Sequence, residues 1–339
     1  MRSIAKRIRR FAGASSLVLV AIAGAAPARA LEQATVALPA VSPLYVIEDV
    51  ADDLRLWEKY GVDLKTVDVP GVGAVNAVIS GSVEFAASAA ASPLRAARSG
   101  QHLLVIATLA DRLYVQIVMR RSVAEAASFD RSASLGVRAR LLRGRTIAVE
   151  AVGGSADAYL RLIAAHGGLT EDDLHLAPML QSNMEAAFET KAIDGFVAGP
   201  PYSVVPVQAG TGVVVASGPD GDPGDMVPFG YIVMVTRPQV CAARRALCLG
   251  VGHALKEAAA FVADHPAEAA ASGRKRFPNL SDAVFQATMA AALRAIPRSP
   301  VTTASVLEHA DLFNIGAGLT KPEEKRATYD DLFTNDFVK

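Results

Sequence analysis

Three segments rich in glycine, alanine and serine hold the residues best placed to do chemistry: Gly71-Val-Gly-Ala-Val-Asn76, Ser88-Ala-Ala-Ala-Ser92-Pro93 and Gly153-Gly-Ser-Ala-Asp157. Each follows a strand-like run and opens a helical one. At such a junction small residues let a ligand reach unpaired backbone N–H groups at the positive end of a helix, an arrangement that suits an anion. The first segment has Asn76 where a dinucleotide fingerprint has its third glycine. The third has Asp157 in place of the last glycine of a G-x-S-x-G nucleophile elbow, and no His follows at a recognisable acid/base position. Ser155 therefore reads as a helix cap that can also touch a ligand, not as a nucleophile. Ser92-Pro93 is a good helix start, with Ser at N-cap and Pro at N1. The alanines before it either leave room for a cleft wall or serve tight packing. Asp111 and Arg112 follow a strand, where loops of an open α/β sheet converge. They read as an exposed ion pair or as crevice residues.

The elements that must position these loops alternate in type. Strand-like runs fall at 34–38, 62–69, 83–87, 103–107 and 115–119, with helical patterns between them at 72–80 and 93–99. After a polar, Arg-rich stretch from Arg120 to Arg145 the pattern resumes: strands at 146–149, 174–177 and 195–197, helices at 155–166 and 183–191. A turn-rich segment, Pro219-Asp-Gly-Asp-Pro-Gly-Asp225, precedes a last strand at 230–235, and beyond it the chain reads as helices at 240–264, 266–276, 281–296 and 302–315. Strands alternating with helices at this spacing predict βαβ units and mostly parallel sheets. Two α/β lobes joined by two crossovers follow, residues 31–118 with 227–339 forming the first and 119–226 the second, and the helical C-terminal tail returning to cover the first.

The first thirty residues read as an export signal. Arg2, Lys6, Arg7, Arg9 and Arg10 precede an apolar stretch from Phe11 to Ala26, and Ala28-Arg29-Ala30 is an A-x-A cleavage site, which predicts a mature start at Leu31. Phe11 directly after Arg9-Arg10 departs from twin-arginine spacing, and no Cys stands at the cleavage point, so ordinary export to a bacterial periplasm is expected. Cleavage removes six basic residues and no acidic ones, leaving 28 Lys+Arg against 34 Asp+Glu. That balance argues against nucleic acid and anionic membrane as partners. Cys241 and Cys248 are the two cysteines. In an oxidising compartment an isolated pair reads as a disulfide, the alternative being two buried thiols. In one straight helix they would stand roughly 10 Å apart, too far to bridge, so Cys241 must lie before the helix proper, in the turn after Arg237-Pro238. The scattered histidines form no ligand-spaced pair, and no metal or cofactor is expected.

Pro43-Leu-Tyr-Val46, Trp57-Glu-Lys-Tyr-Gly-Val-Asp63, Gly81-Ser-Val-Glu-Phe85, Gly144-Arg-Thr-Ile-Ala-Val149, Gly153-Gly-Ser155 and Asp264-His-Pro-Ala-Glu268 follow one another in a familiar order. Together they resemble the NMT1/THI5-like, sulfonate/nitrate/taurine type of ABC-transporter substrate-binding protein, over essentially the whole mature chain to Tyr329-Asp-Asp-Leu332. The resemblance implies a type II periplasmic-binding-protein fold, with a small-molecule ligand held between two lobes by hinge closure. It further implies delivery to an ABC permease with a cytoplasmic ATPase. A monomer is expected. Candidate ligand contacts are Ser42, Gly73, Ser88, Ala89, Ser92, Gly154 and Ser155, with Tyr45, Tyr202 and Phe229 as apolar or stacking walls and Arg112 as a cation. That inventory suits an anionic head with a modest apolar or aromatic body, sulfonates and aromatic carboxylates first, an uncharged thiamine-pyrimidine precursor second. Some relatives are pyrimidine-synthesising enzymes that use an active-site His and iron beside a cysteine-rich segment. This chain has no such segment and no His in its candidate cleft loops, so no catalytic residue is expected. A ligand sensor for a membrane signalling protein is the remaining alternative.

Overall fold

The computed structural model describes residues 30–339. Residues 1–29, on which the expected export signal falls apart from Ala30, lie outside the described residues. Among the described residues ten strands make two five-stranded sheets. β1 (Glu32–Leu38), β2 (Val62–Asp68), β3 (Phe85–Ser88), β4 (Leu104–Ala110) and β10 (Ile232–Thr236) form the first, in the order β2-β1-β3-β10-β4. β5 (Gln116–Arg120), β6 (Arg145–Val149), β7 (Leu174–Pro178), β8 (Gly195–Ala198) and β9 (Gly212–Ser217) form the second, in the order β7-β6-β8-β5-β9. The two orders are the same. In each sheet one antiparallel strand, β10 or β5, sits among parallel neighbours and arrives from the opposite lobe. This is the α/β type II periplasmic-binding architecture, with lobes joined by two crossovers, 111–115 and 218–231.

β5 hydrogen-bonds to β8 and β9, so residues 116–118, which the sequence grouped with the first lobe, pair with the second sheet. β9 was not expected as a strand; its Gly-Val-Val-Val-Ala-Ser run forms the edge beside β5. The crossovers run side by side: the Asp111 carbonyl accepts the Phe229 N–H at 2.7 Å, and the Val115 carbonyl accepts the Gly218 N–H at 3.0 Å.

Packing follows the period-two alternation of the strands. Val36 and Leu38 of β1 face a cluster that includes Ile47 and Val50 of the helix Val46–Asp53 and Leu247, Val251 and Leu255 of the helix Arg245–Asp264. Ala37 faces the other side with Val78 and Leu94. Each such fully buried aliphatic chain contributes roughly 1.5–3 kcal/mol. The helix Arg245–Asp264 is long and apolar enough by composition to cross a membrane, but it is a core helix of the first lobe. The tail does return to that lobe: Val105 bridges to Phe333, and the Pro300 carbonyl accepts the Thr108 N–H.

Cys241 and Cys248 are bonded, with Cα atoms 5.5 Å apart. The expected continuous helix from 240 is broken at Arg244, into Pro238–Ala243 and Arg245–Asp264. Cys241 thus lies in a short helix of its own, not in a turn, and the break folds it back onto the first turn of the long helix.

Candidate ligand-binding site

A cavity of about 340 Å³ opens where the strand ends of both lobes converge. After β1 the chain turns through Pro39 and Ala40 to Ser42, whose hydroxyl accepts the Leu44 N–H at 3.3 Å and starts the helical segment carrying Tyr45. After β3, Ser88 and Ala89 lead into the helix Ala91–Arg98. The second lobe contributes Ser155, first residue of the helix Ser155–His166. Leu113 and Val115 come from one crossover, and Phe229 to Ile232 from the end of the other and the start of β10. The C-terminal helix Ala304–Gly316 closes the wall with Ala310, Phe313 and Asn314.

Gly230 holds this junction by having no side chain. Its carbonyl accepts the Ala90 N–H and its N–H donates to Val306, both at 3.0 Å, and a Cβ would collide with the Ala90 methyl and with Val306. The strand ends of the first lobe and the C-terminal helix can therefore approach closely enough to share one cavity.

Aromatic rings form much of the wall. Phe229 and Phe313 meet edge to face with centroids 5.4 Å apart, and Tyr231 meets the buried Tyr114 at 6.3 Å. No protein hydrogen-bond partner is found for the Tyr45 and Tyr231 hydroxyls among the described residues. Burial raises both phenols, Tyr231 to about 12, and Tyr45 is raised first by burial and then by the neighbouring Glu48 carboxyl, so both remain protonated donors. Asn314 donates its amide to the Ala310 carbonyl at 2.8 Å, which leaves its carbonyl oxygen open. The lining contains no Arg, Lys, His, Asp, Glu or Cys. What the wall offers is apolar surface, neutral hydroxyls, an amide and helix starts, which can hold and orient a small molecule.

Six of the expected contact residues meet here: Ser42, Tyr45, Ser88, Ala89, Ser155 and Phe229. The other five stand elsewhere. Gly73 begins the helix Gly73–Ser80 outside the lining, and Gly154 is the N-cap beside Ser155. That position corrects the expected cap: Ser155 is already helical and makes no side-chain cap bond, while Asp157, paired with Arg161, accepts the Gly153 N–H at 2.8 Å. Ser92 is buried inside its helix, which starts at Ala91 with Ala90 as N-cap, not at Pro93. Tyr202 is 45% exposed and away from the cavity. Arg112 spans the crossovers, donating to the Pro219 carbonyl at 3.2 Å and standing 3.9 Å from Asp111. Sequence reasoning missed Ala310, Phe313 and Asn314; an amide at four-residue spacing from Ala310 on an apolar helix face was the available signal.

Solved structures of low identity share the fold. The chain is similar to the periplasmic aliphatic sulphonate binding protein SsuA from Escherichia coli (18% identity, TM-score 0.63, covering 85% of this chain and 86% of that one). It is similar to the alkanesulfonate-binding protein SsuA from Xanthomonas axonopodis pv. citri bound to MOPS (19%, TM-score 0.59, 86% and 96%). It is also similar to the periplasmic nitrate-binding protein NrtA from Synechocystis PCC 6803 (15%, TM-score 0.59, 91% and 87%). No curated protein sequence matches the chain. The match to the family described as NMT1/THI5 like spans residues 42–269, from the serine that starts the first cavity loop to the helices covering the first lobe, and the chain belongs to that family.

Proposed function

We propose that this chain is a periplasmic receptor that captures a small organic anion between its two lobes and hands it to an ABC importer. The observation that carries this reading is a single cavity walled by both lobes and by both crossovers, without an acid, a base or a metal-ligand set. A ligand bridging Ser88 and Ser155 gains its full contacts only when the lobes are together, so binding favours the closed arrangement. The names of the structural relatives, sulfonate- and nitrate-binding proteins, support an anion. The aromatic wall supports a ligand with an apolar or aromatic body, a sulfonate or an aromatic carboxylate. Its head would be held by helix starts and neutral donors, not by a cation. The lobes are taken as 31–118 with 227–339 and 119–226, save that 116–118 go with the second sheet as β5 pairs there, the mature chain as starting at Leu31, and the receptor as a monomer. An uncharged pyrimidine precursor is the second reading, favoured by the absence of any charged side chain from the lining.

A thermal-shift panel of sulfonates, aromatic carboxylates, nitrate, pyrimidines, sugars and cations tests it. A ligand at 100 times its dissociation constant adds about 2.7 kcal/mol to stability, a shift of several degrees. Stabilisation by sulfonates or aromatic carboxylates is expected. Stabilisation by cations or sugars alone would overturn the assignment.

A further inference from the structure

We propose that the ligand site is bipartite: a second compartment beside the aromatic cavity receives a further anionic group of the ligand, with Arg95 as its counter-ion. The proposal rests on the receptor reading and narrows it to organic dianions, such as an aryl sulfonate that also carries a carboxylate.

The compartment has a volume of about 220 Å³ and shares two wall residues, Ala91 and Asn314, with the first cavity. It lies along the helix Ala91–Arg98, whose start walls the first cavity and whose following turn carries Arg95. Two guanidinium groups line it, and they differ in what they do. Arg98 is committed: it is ion-paired with the fully buried Asp311 and donates to the Glu324 carbonyl at 3.3 Å. Arg95 forms no side-chain hydrogen bond and no ion pair among the described residues, and it is exposed. Glu324 is the one carboxylate in this lining; its Oε2 accepts the Lys321 N–H at 2.9 Å. Arg95 is thus the cation that the compartment leaves for a ligand.

Charge logic links the two compartments. The first cavity contains no charged side chain, so a second negative charge placed wholly inside it would be desolvated without a partner, which is costly. Because the two compartments share Ala91 and Asn314, a ligand that extends from the first along the helix Ala91–Arg98 meets Arg95 instead. Ala91 and Arg95 are one helical turn apart, roughly 6 Å along the axis. A para-substituted benzene ring carries its two substituents about that far apart, so an aryl dianion is a suitable probe.

Titration calorimetry with benzenesulfonate and with 4-sulfobenzoate, on the wild type and on Arg95→Gln, tests the proposal. In low salt the dianion is expected to bind about tenfold more tightly than benzenesulfonate, as a charge-assisted contact at a partly exposed site allows. In Arg95→Gln that ratio should fall below about twofold, and about 0.5 M salt should erode it in the wild type, because an exposed guanidinium is screened. Equal affinities for the two probes, or a ratio that survives Arg95→Gln, would overturn the second compartment and leave the receptor reading standing. Failure of both probes to bind would overturn the aryl-dianion proposal, while the thermal-shift panel decides the receptor reading separately.

Discussion

Replacing Glu48 with Gln should make the protein more stable, and increasingly so as pH rises. Glu48 lies in the helix that follows Tyr45 and is 1% exposed, and neither of its carboxylate oxygens has a hydrogen-bond partner. Arg276, the cation that acts on Glu48, is held by Asp49, its Nε donating to both oxygens at 2.8 Å. Burial outweighs the opposing pull of its own backbone N–H dipole and of Arg276 and pushes the Glu48 carboxyl from 4.5 up to about 8. The folded chain therefore keeps a proton that the unfolded chain gives up. The associated stability is complete below about pH 4.5 and is lost as pH rises through 8. At about 1.4 kcal/mol per factor of ten in proton affinity, the loss over this window is roughly 4 to 5 kcal/mol. Glutamine keeps the shape and cannot ionise. Urea unfolding of wild type and Glu48→Gln at pH 4, 7 and 9 should give curves that nearly coincide at pH 4. They should separate by about 3 kcal/mol or more at pH 9, with the variant the more stable. A difference that does not change with pH would refute the reasoning, since a lost contact or a packing gain has no titration.

Three further outcomes are expected. Cys241→Ser with Cys248→Ser opens a short loop and should cost about 2–3 kcal/mol in urea unfolding, with an unchanged fold by circular dichroism; a cost near zero would mean that the helix break at Arg244 is held without the bond. Phe313→Leu should leave stability within about 1.5 kcal/mol and lower affinity for aromatic sulfonates severalfold relative to aliphatic ones of equal length, because it removes a ring edge from the wall; an equal loss for both classes would place the aromatic body elsewhere. Val72 and Leu180, each 64% exposed, follow β2 and β7, which hold the same place in their sheets, so Val72→Asp with Leu180→Asp puts like charges on the two lobes. That pair should weaken binding and the ligand-induced compaction seen by small-angle scattering while leaving the melting temperature of the free protein unchanged; undiminished compaction would show that these loops do not approach on closure.

The parts of the fold set by local pattern could be read from the sequence. The helix Ser155–His166 appears with both ends in place, because apolar spacing and the flanking glycines agree. What failed was partnering. Every residue from Val115 to Met119 is apolar or buried, which announces a strand but not the sheet it joins, and sheet membership depends on residues a lobe away. The site divides along the same line. Ser42, Ser88 and Ser155 follow strands, so a topological rule finds them. Asn314 and Phe313 come from a helix that reaches the cavity only after the tail has crossed the first lobe. Arg112 stood at a promising loop, but its guanidinium is used to tie the crossovers together.

The exchange of β5 and β10 between lobes also has a consequence for the order in which the molecule can assemble. The second sheet is drawn from one uninterrupted stretch, Gln116 to Ser217, and can complete itself as soon as that stretch is available. The first sheet cannot: β10 must insert between β3 and β4 after the whole second sheet has been made, and the tail must then bring Phe333 to Val105. Until that happens β3 and β4 each present an unpaired edge, and closing such long loops is slow. A chain that becomes available N-terminus first would therefore hold a finished second sheet and an unfinished first one. That interval is when the molecule is most open to aggregation, and the strand that ends it, β10, brings Ile232 to the cavity wall.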